Sequence, residues 1–167
     1  GGTITSTIDT NRTGSLTINK YEGDKAEDDK LLDGVTFTAY KVADIVQSTV
    51  AGTTDVKMQP VEALTNIKPD IQITSETKYD DIKDTVEKAL AKYADPKLVA
   101  AGTAVTGESL DASGKKIKGQ AKFTNLGVGV YLIVETGAPS QIVNKTANFL
   151  VSIPMANADG TGWNYDI

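Results

Sequence analysis

The stretch GVYLIVETGAP, residues 129–139, constrains the fold more than any other part of the chain. Apolar side chains fill every position from Val130 to Val134 and run directly into Glu135, Thr136 and a Gly-Ala-Pro turn. Such a run, short and rich in β-branched residues, reads as a strand. Side chains alternate across a strand, so Glu135 shares a face with Tyr131 and Ile133. If that face is inward, the carboxyl is either desolvated or held by a nearby ammonium. If the strand has already reached solvent at the turn, Glu135 is an ordinary surface glutamate. The local pattern leaves both placements open.

The remainder of the chain agrees with a mainly β protein. Threonine is abundant and Ile and Val are frequent, which suits pleated, half-buried strands. At 167 residues, 40% hydrophobic and 23% charged, the chain fits one globular domain with a sizeable core. The net charge of −5 and the lack of a basic stripe with interleaved aromatics argue against nucleic-acid binding. No apolar run approaches the roughly 20 residues of a membrane span. Cysteine and histidine are both missing, which excludes disulfides, Cys/His zinc sites and any nucleophile–histidine arrangement. No cofactor or metal is expected. The start at Gly1-Gly2 without a methionine, and the stop in strand-like residues at Trp163–Ile167, read as the ends of a processed or excised fragment.

Along the chain, residues 1–14 are polar and Thr-rich and read as an extended leader. Residues 15–22 (SLTINKYE) alternate with period two, placing Leu16, Ile18 and Lys20 on one face. After a charged loop, VTFTAYKVADI reads as a second strand, with Val35, Phe37, Ala39 and Lys41 on one face. Residues 46–74 are weakly patterned and read as an irregular insertion with room for one strand. An amphipathic helix is expected over about 78–93. Ile82, Val86, Leu90 and Tyr93 form its stripe, with aspartates early and lysines late, as the helix dipole favours. After a turn at ASGKK, three further strand-like segments follow. Short strands punctuated by turns suggest a β-sandwich with the helix inserted on its flank.

Lys20 and Glu135 are the residues with chemical potential. If the Leu16/Ile18 face is inward, Lys20 carries an ammonium toward the core, where it must find a carboxylate or give up its proton. The alternative is a lysine that ends its strand and snorkels to solvent. Lys41 poses the same question in a weaker neighbourhood. A neutral lysine amine beside an asparagine carboxamide can form an amide with loss of ammonia, and a carboxyl between them polarises the carbonyl and shuttles the proton. Such an isopeptide would join the first strand to the last and, like a disulfide, restrict the unfolded chain.

Other signals are weak. Asn11-Arg-Thr13 and Asn144-Lys-Thr146 are formal glycosylation sequons. Glu27, Asp28, Asp29 and Asp33 lack calcium-loop spacing and read as a solvated loop. Paired carboxylates without a cleft signature make a hydrolase a poor reading.

At this point the residues resemble a family. YLIVETGAP resembles the E-box of Gram-positive sortase-assembled pilins, and TGSLTINKYE resembles the first strand of the same domains, with a lysine where Lys20 stands. FLVSIPMANADGTGWNYDI resembles the run-up to the pilin motif Trp-x-x-x-Val-x-Val-Tyr-Pro-Lys, whose first two fixed positions match Trp163 and Ile167. The resemblance implies an immunoglobulin-like β-sandwich of the collagen-adhesin B type, residues 15–167, as the N-terminal domain of a pilus backbone subunit. It implies a structural rather than enzymatic role, in a cell-wall-anchored extracellular fibre. Neighbouring pilin subunits and a class C sortase would be its partners. It further implies Glu135 as the catalytic carboxyl and Lys20 as the crosslinking amine. In several relatives the asparagine partner lies in the pilin motif, beyond the position of Ile167. The motif lysine and an LPxTG signal are not in this sequence. Asn148, Asn157 and Asn164 are nearer candidates without a motif match. An alternative within the same fold is an adhesive module of an ancillary or tip pilin that binds a host surface protein or glycan.

Overall fold

A computed structural model describes residues 7–23, 25–65, 81, 84–88, 98–141, 144–159 and 162–167. The apolar run of the opening motif becomes the strand β6 (Gly129–Gly137), in which every residue from Gly129 to Ile133 is buried, as is Glu135. Burial on both faces of the strand requires an apolar residue at nearly every position, as the sequence provides. β6 lies between β2 (Thr36–Val50) and β7 (Phe149–Ile153) and is antiparallel to both.

Strand β2 organises this larger sheet. Its first half pairs with β6 along one edge and with β4 (Ala100–Val105) along the other. Its second half forms a hairpin with β3 (Thr53–Pro60), in register from Ala43–Pro60 to Val50–Thr53. Residues 46–60, read from the sequence as the start of an irregular insertion, are therefore largely regular hairpin. The turn is Ala51-Gly52, and both residues have positive φ, 51° and 79°. Two positive φ values match the right-handed twist of the flanking strands.

The second sheet is small. β1 (Thr13–Asn19) pairs antiparallel with β5 (Gln120–Gly127), and Leu16, Ala121, Phe123 and Leu126 turn inward to the core. On the other edge of β1 the tail runs parallel. The N–H of Ser15 donates to the Tyr165 carbonyl at 2.9 Å, that of Ile167 to Ser15 at 2.9 Å, and that of Thr17 to Ile167 at 2.8 Å. Gly14 permits this approach, since a Cβ there would stand 2.1 Å from the Tyr165 carbonyl oxygen. A short pair, β8 (Met155–Ala156) with β9 (Trp163–Asn164), leads into the tail.

The two sheets enclose one core built on Phe37, Leu132, Ile133 and Ile153. Leu64 of the short helix α1 (Glu62–Thr65) and Val86 join it. Of the helix expected over 78–93, residues 81 and 84–88 are helical, and the rest lies outside the described residues. No helix among the described residues is long and apolar enough to cross a membrane. Of the leader expected over 1–14, residues 7–14 are described, and Thr13 and Gly14 already belong to β1. Ile8 is buried, its N–H donates to Gln47 Oε1 at 2.8 Å, and the Asp9 N–H donates to the Tyr165 hydroxyl at 2.8 Å. The expected turn at ASGKK is an Asp111-centred loop. There the Ser113 hydroxyl, then the Lys115 N–H, hold the Asp111 carboxyl below its usual range.

Candidate functional site

Lys20 follows directly on β1, and its backbone is fixed from both sides. Its N–H donates to Gly119 at 2.9 Å and its carbonyl accepts from Leu32 at 3.0 Å. Gly119 is itself held by Asp33, whose Oδ1 accepts its N–H at 2.6 Å. With the backbone pinned, strand parity sends the side chain the way of Leu16, inward. Lys20 is 8% exposed and Glu135 6% exposed, and Lys20 Nζ stands 3.3 Å from Glu135 Oε1. Both residues thus take the inward of their two sequence-level placements, and the pair bridges the small sheet to the large one.

A loop completes the site. The backbone carbonyl of Asn144 accepts from Lys20 Nζ at 2.9 Å and Thr146 Oγ1 lies 2.7 Å from it. The Thr146 N–H donates to Glu135 Oε1 at 3.2 Å. Two of the ammonium's three donors go to Asn144 and Thr146, and the Glu135 carboxylate stands beside it as its ion-pair partner. Charge-assisted bonds of this kind offset the desolvation that makes a buried ion pair expensive. The site opens on a cleft of about 340 Å³ lined in part by Asn19, Tyr21, Lys25 and Lys145.

Asn144 and Thr146 carried a different meaning in the sequence, as the ends of a glycosylation sequon. Their separation from Lys20, 124 and 126 residues, leaves no local signal of the contact. Among the other asparagines considered, Asn157 and Asn164 are exposed and Asn148 is half-buried. The Asn164 side chain accepts the N–H of Asp166 at 3.1 Å. Lys41 stands outside the site, paired with Asp44 at 2.7 Å. Trp163 lies in β9 opposite Ala156, and Ile167 lies against β1. Below the pair in β6, the Tyr131 hydroxyl donates to the Gly127 carbonyl at 2.6 Å. Burial, and then the charge of Asp44, push this phenol up to about 12.

A mainly β sandwich with its two sheets joined by a buried lysine and glutamate places the chain in the class of immunoglobulin-like domains. The family of Gram-positive pilin subunit D1, N-terminal domain, matches residues 2–167, and the chain belongs to it. The "Fimbrial subunit type 2" of Actinomyces naeslundii is 33% identical over 96% of this chain and 29% of its own length. The chain therefore spans under a third of that relative. The fimbrial protein FimP of Actinomyces oris has the same fold. It is 23% identical with a TM-score of 0.51, covering 97% of this chain and 30% of that one. The full-length major pilin SpaD of Corynebacterium diphtheriae is 29% identical with a TM-score of 0.48, over 96% of this chain and 30% of its own.

Proposed function

We propose that residues 15–167, with the leader 1–14 packed on them at Ile8, are the N-terminal domain of a pilus shaft subunit. In this reading Lys20 is the amine of an internal isopeptide bond and Glu135 its acid–base carboxyl. The observation that carries it is the buried Lys20–Glu135 pair, 3.3 Å apart and linking the sheets. A strand-end lysine with no chemical task would more cheaply reach solvent, and burying an ion pair by itself adds little stability.

The register of the tail supports the choice of acyl partner. Ser15 is level with Asp166 in the parallel bridge. Lys20 lies five residues after Ser15, so a strand prolonged in that register reaches the level of Lys20 four positions beyond Ile167. The resemblance to the pilin motif, anchored on Trp163 and Ile167, puts the motif lysine five positions beyond Ile167, one residue past that level, with its asparagine next to it. One asparagine there would receive the Lys20 amine, and the neighbouring lysine would be the one a class C sortase joins to the next subunit. The subunits then form a wall-anchored fibre outside the cell that serves adhesion indirectly.

The test is peptide mass spectrometry of the full-length protein. The expected result is a Lys20 peptide joined to an asparagine-bearing peptide with the loss of one ammonia, and its disappearance in Glu135→Ala. An unjoined Lys20 in the wild-type protein overturns the assignment. In the 167-residue chain, Lys20 is expected to stay unjoined.

A further inference from the structure

We infer that Thr146 is a positioning residue for amide formation at Lys20, holding both the amine and the carboxyl in the geometry of attack. The inference rests on the proposed crosslinking role of the pair. It starts from one residue's dual contact: Thr146 Oγ1 accepts from Lys20 Nζ at 2.7 Å while the Thr146 backbone N–H donates to Glu135 Oε1 at 3.2 Å. One residue of a loop therefore sets the spacing of the two reacting groups, which belong to different sheets.

The chemistry follows from counting donors. The ammonium gives two N–H bonds to the Asn144 carbonyl and Thr146 Oγ1 and faces Glu135 as an ion pair, and while it keeps its third proton it has no lone pair with which to attack. Transfer of one proton from Nζ to Glu135 changes that. The two remaining N–H bonds stay on the Asn144 carbonyl and on Thr146 Oγ1, so the freed lone pair points toward the carboxyl that took the proton. The acyl carbon must arrive on that side, where the protonated Glu135 can polarise its oxygen. Nζ forms the new C–N bond and the old C–N bond of the carboxamide breaks. The amine's second proton, relayed through Glu135, leaves with ammonia, and the carboxyl ends protonated. Without the Thr146 hydroxyl, one N–H loses its acceptor and the amine is free to rotate its lone pair away. Misorientation of this kind slows an intramolecular reaction steeply.

Full-length wild-type protein and the variants Thr146→Val and Thr146→Ser are compared for the fraction of chains joined at Lys20, followed from expression onward. Valine keeps the volume and the backbone N–H to Glu135 but removes the hydroxyl, and serine restores it. The expected result is joining slowed roughly tenfold to a hundredfold in T146V and rescued in T146S. The Tm of the 167-residue chain carrying T146V, which stays unjoined, is expected to fall by several degrees for the one buried donor left without an acceptor while the domain stays folded, which separates positioning from folding. If valine unfolds the domain, Thr146→Ala gives the same comparison with serine. Wild-type joining with equal speed in T146V overturns the role of Thr146 and leaves Lys20 and Glu135 in place. Wild-type protein that never loses ammonia at Lys20 overturns both.

Discussion

Removing either member of the Lys20–Glu135 pair strands its partner's charge in the interior. In the 167-residue chain, Lys20→Met or Glu135→Leu is expected to lower stability by about 3–5 kcal/mol in urea unfolding. The double substitution is expected to recover much of that loss, because an apolar pair of similar volume needs no charge compensation. Additive losses would show that the two groups do not act on each other. Tyr131 gives a pH signature at the opposite end of the scale. Its phenol titrates near 12 in the fold against about 10 in an unfolded chain. The folded state therefore resists deprotonation. The stability is fully present below pH 10 and is lost as the pH rises from about 10 to about 12. Tyr131→Phe is expected to flatten that decline, as read by urea midpoints across the alkaline range. Both members of the buried pair were legible from strand parity, since a face shared with Leu16 or with Ile133 has only two destinations. Asn144 and Thr146 were not, because a loop that closes over a distant lysine leaves no periodic trace in its own sequence.

At the level of elements, the strands with dense apolar patterning were the readable ones. β6 announced itself through five unbroken apolar positions, Val130 to Val134, and β1 through its alternation. The β2–β3 hairpin did not, for two physical reasons. Its outer face is exposed at Val46 and Val50, 44% and 73%, and the inward residues of β3, Val56 and Met58, are only partly buried against the core, so its apolar face is thin. Its turn also lacks the usual Asn-Gly or Asp-Gly signal. Ala51 occupies a left-handed position, φ 51°, that disfavours a Cβ-bearing residue by about 1–2 kcal/mol. Ala51→Asn is therefore expected to stabilise the domain by about 0.5–1 kcal/mol, seen as a rise of a few degrees in Tm. A lower Tm would mean that the hairpin tip is not held in this turn. The parallel seat of the tail on β1 was equally hidden, since three residues of pairing carry too little pattern to reveal their partner.

For the molecule as a whole, membership of the pilin family gives the fold a mechanical setting, and the tail on β1 then has a consequence of its own. Two strands that run the same way, held at Ser15, Thr17, Tyr165 and Ile167, meet tension between Thr13 and Ile167 as a sliding load. All the hydrogen bonds between them must stretch together before any one gives way. Thr13 and Gly127, by contrast, face each other at one end of β1 and β5, so pulling on that pair opens the ladder one rung at a time. Single-molecule pulling through Thr13 and Ile167 is expected to need the larger rupture force, and equal forces would show that the tail bears no load. The domain would thus resist most when loaded from Thr13 to Ile167 and least when the Thr13–Gly127 end is pried open.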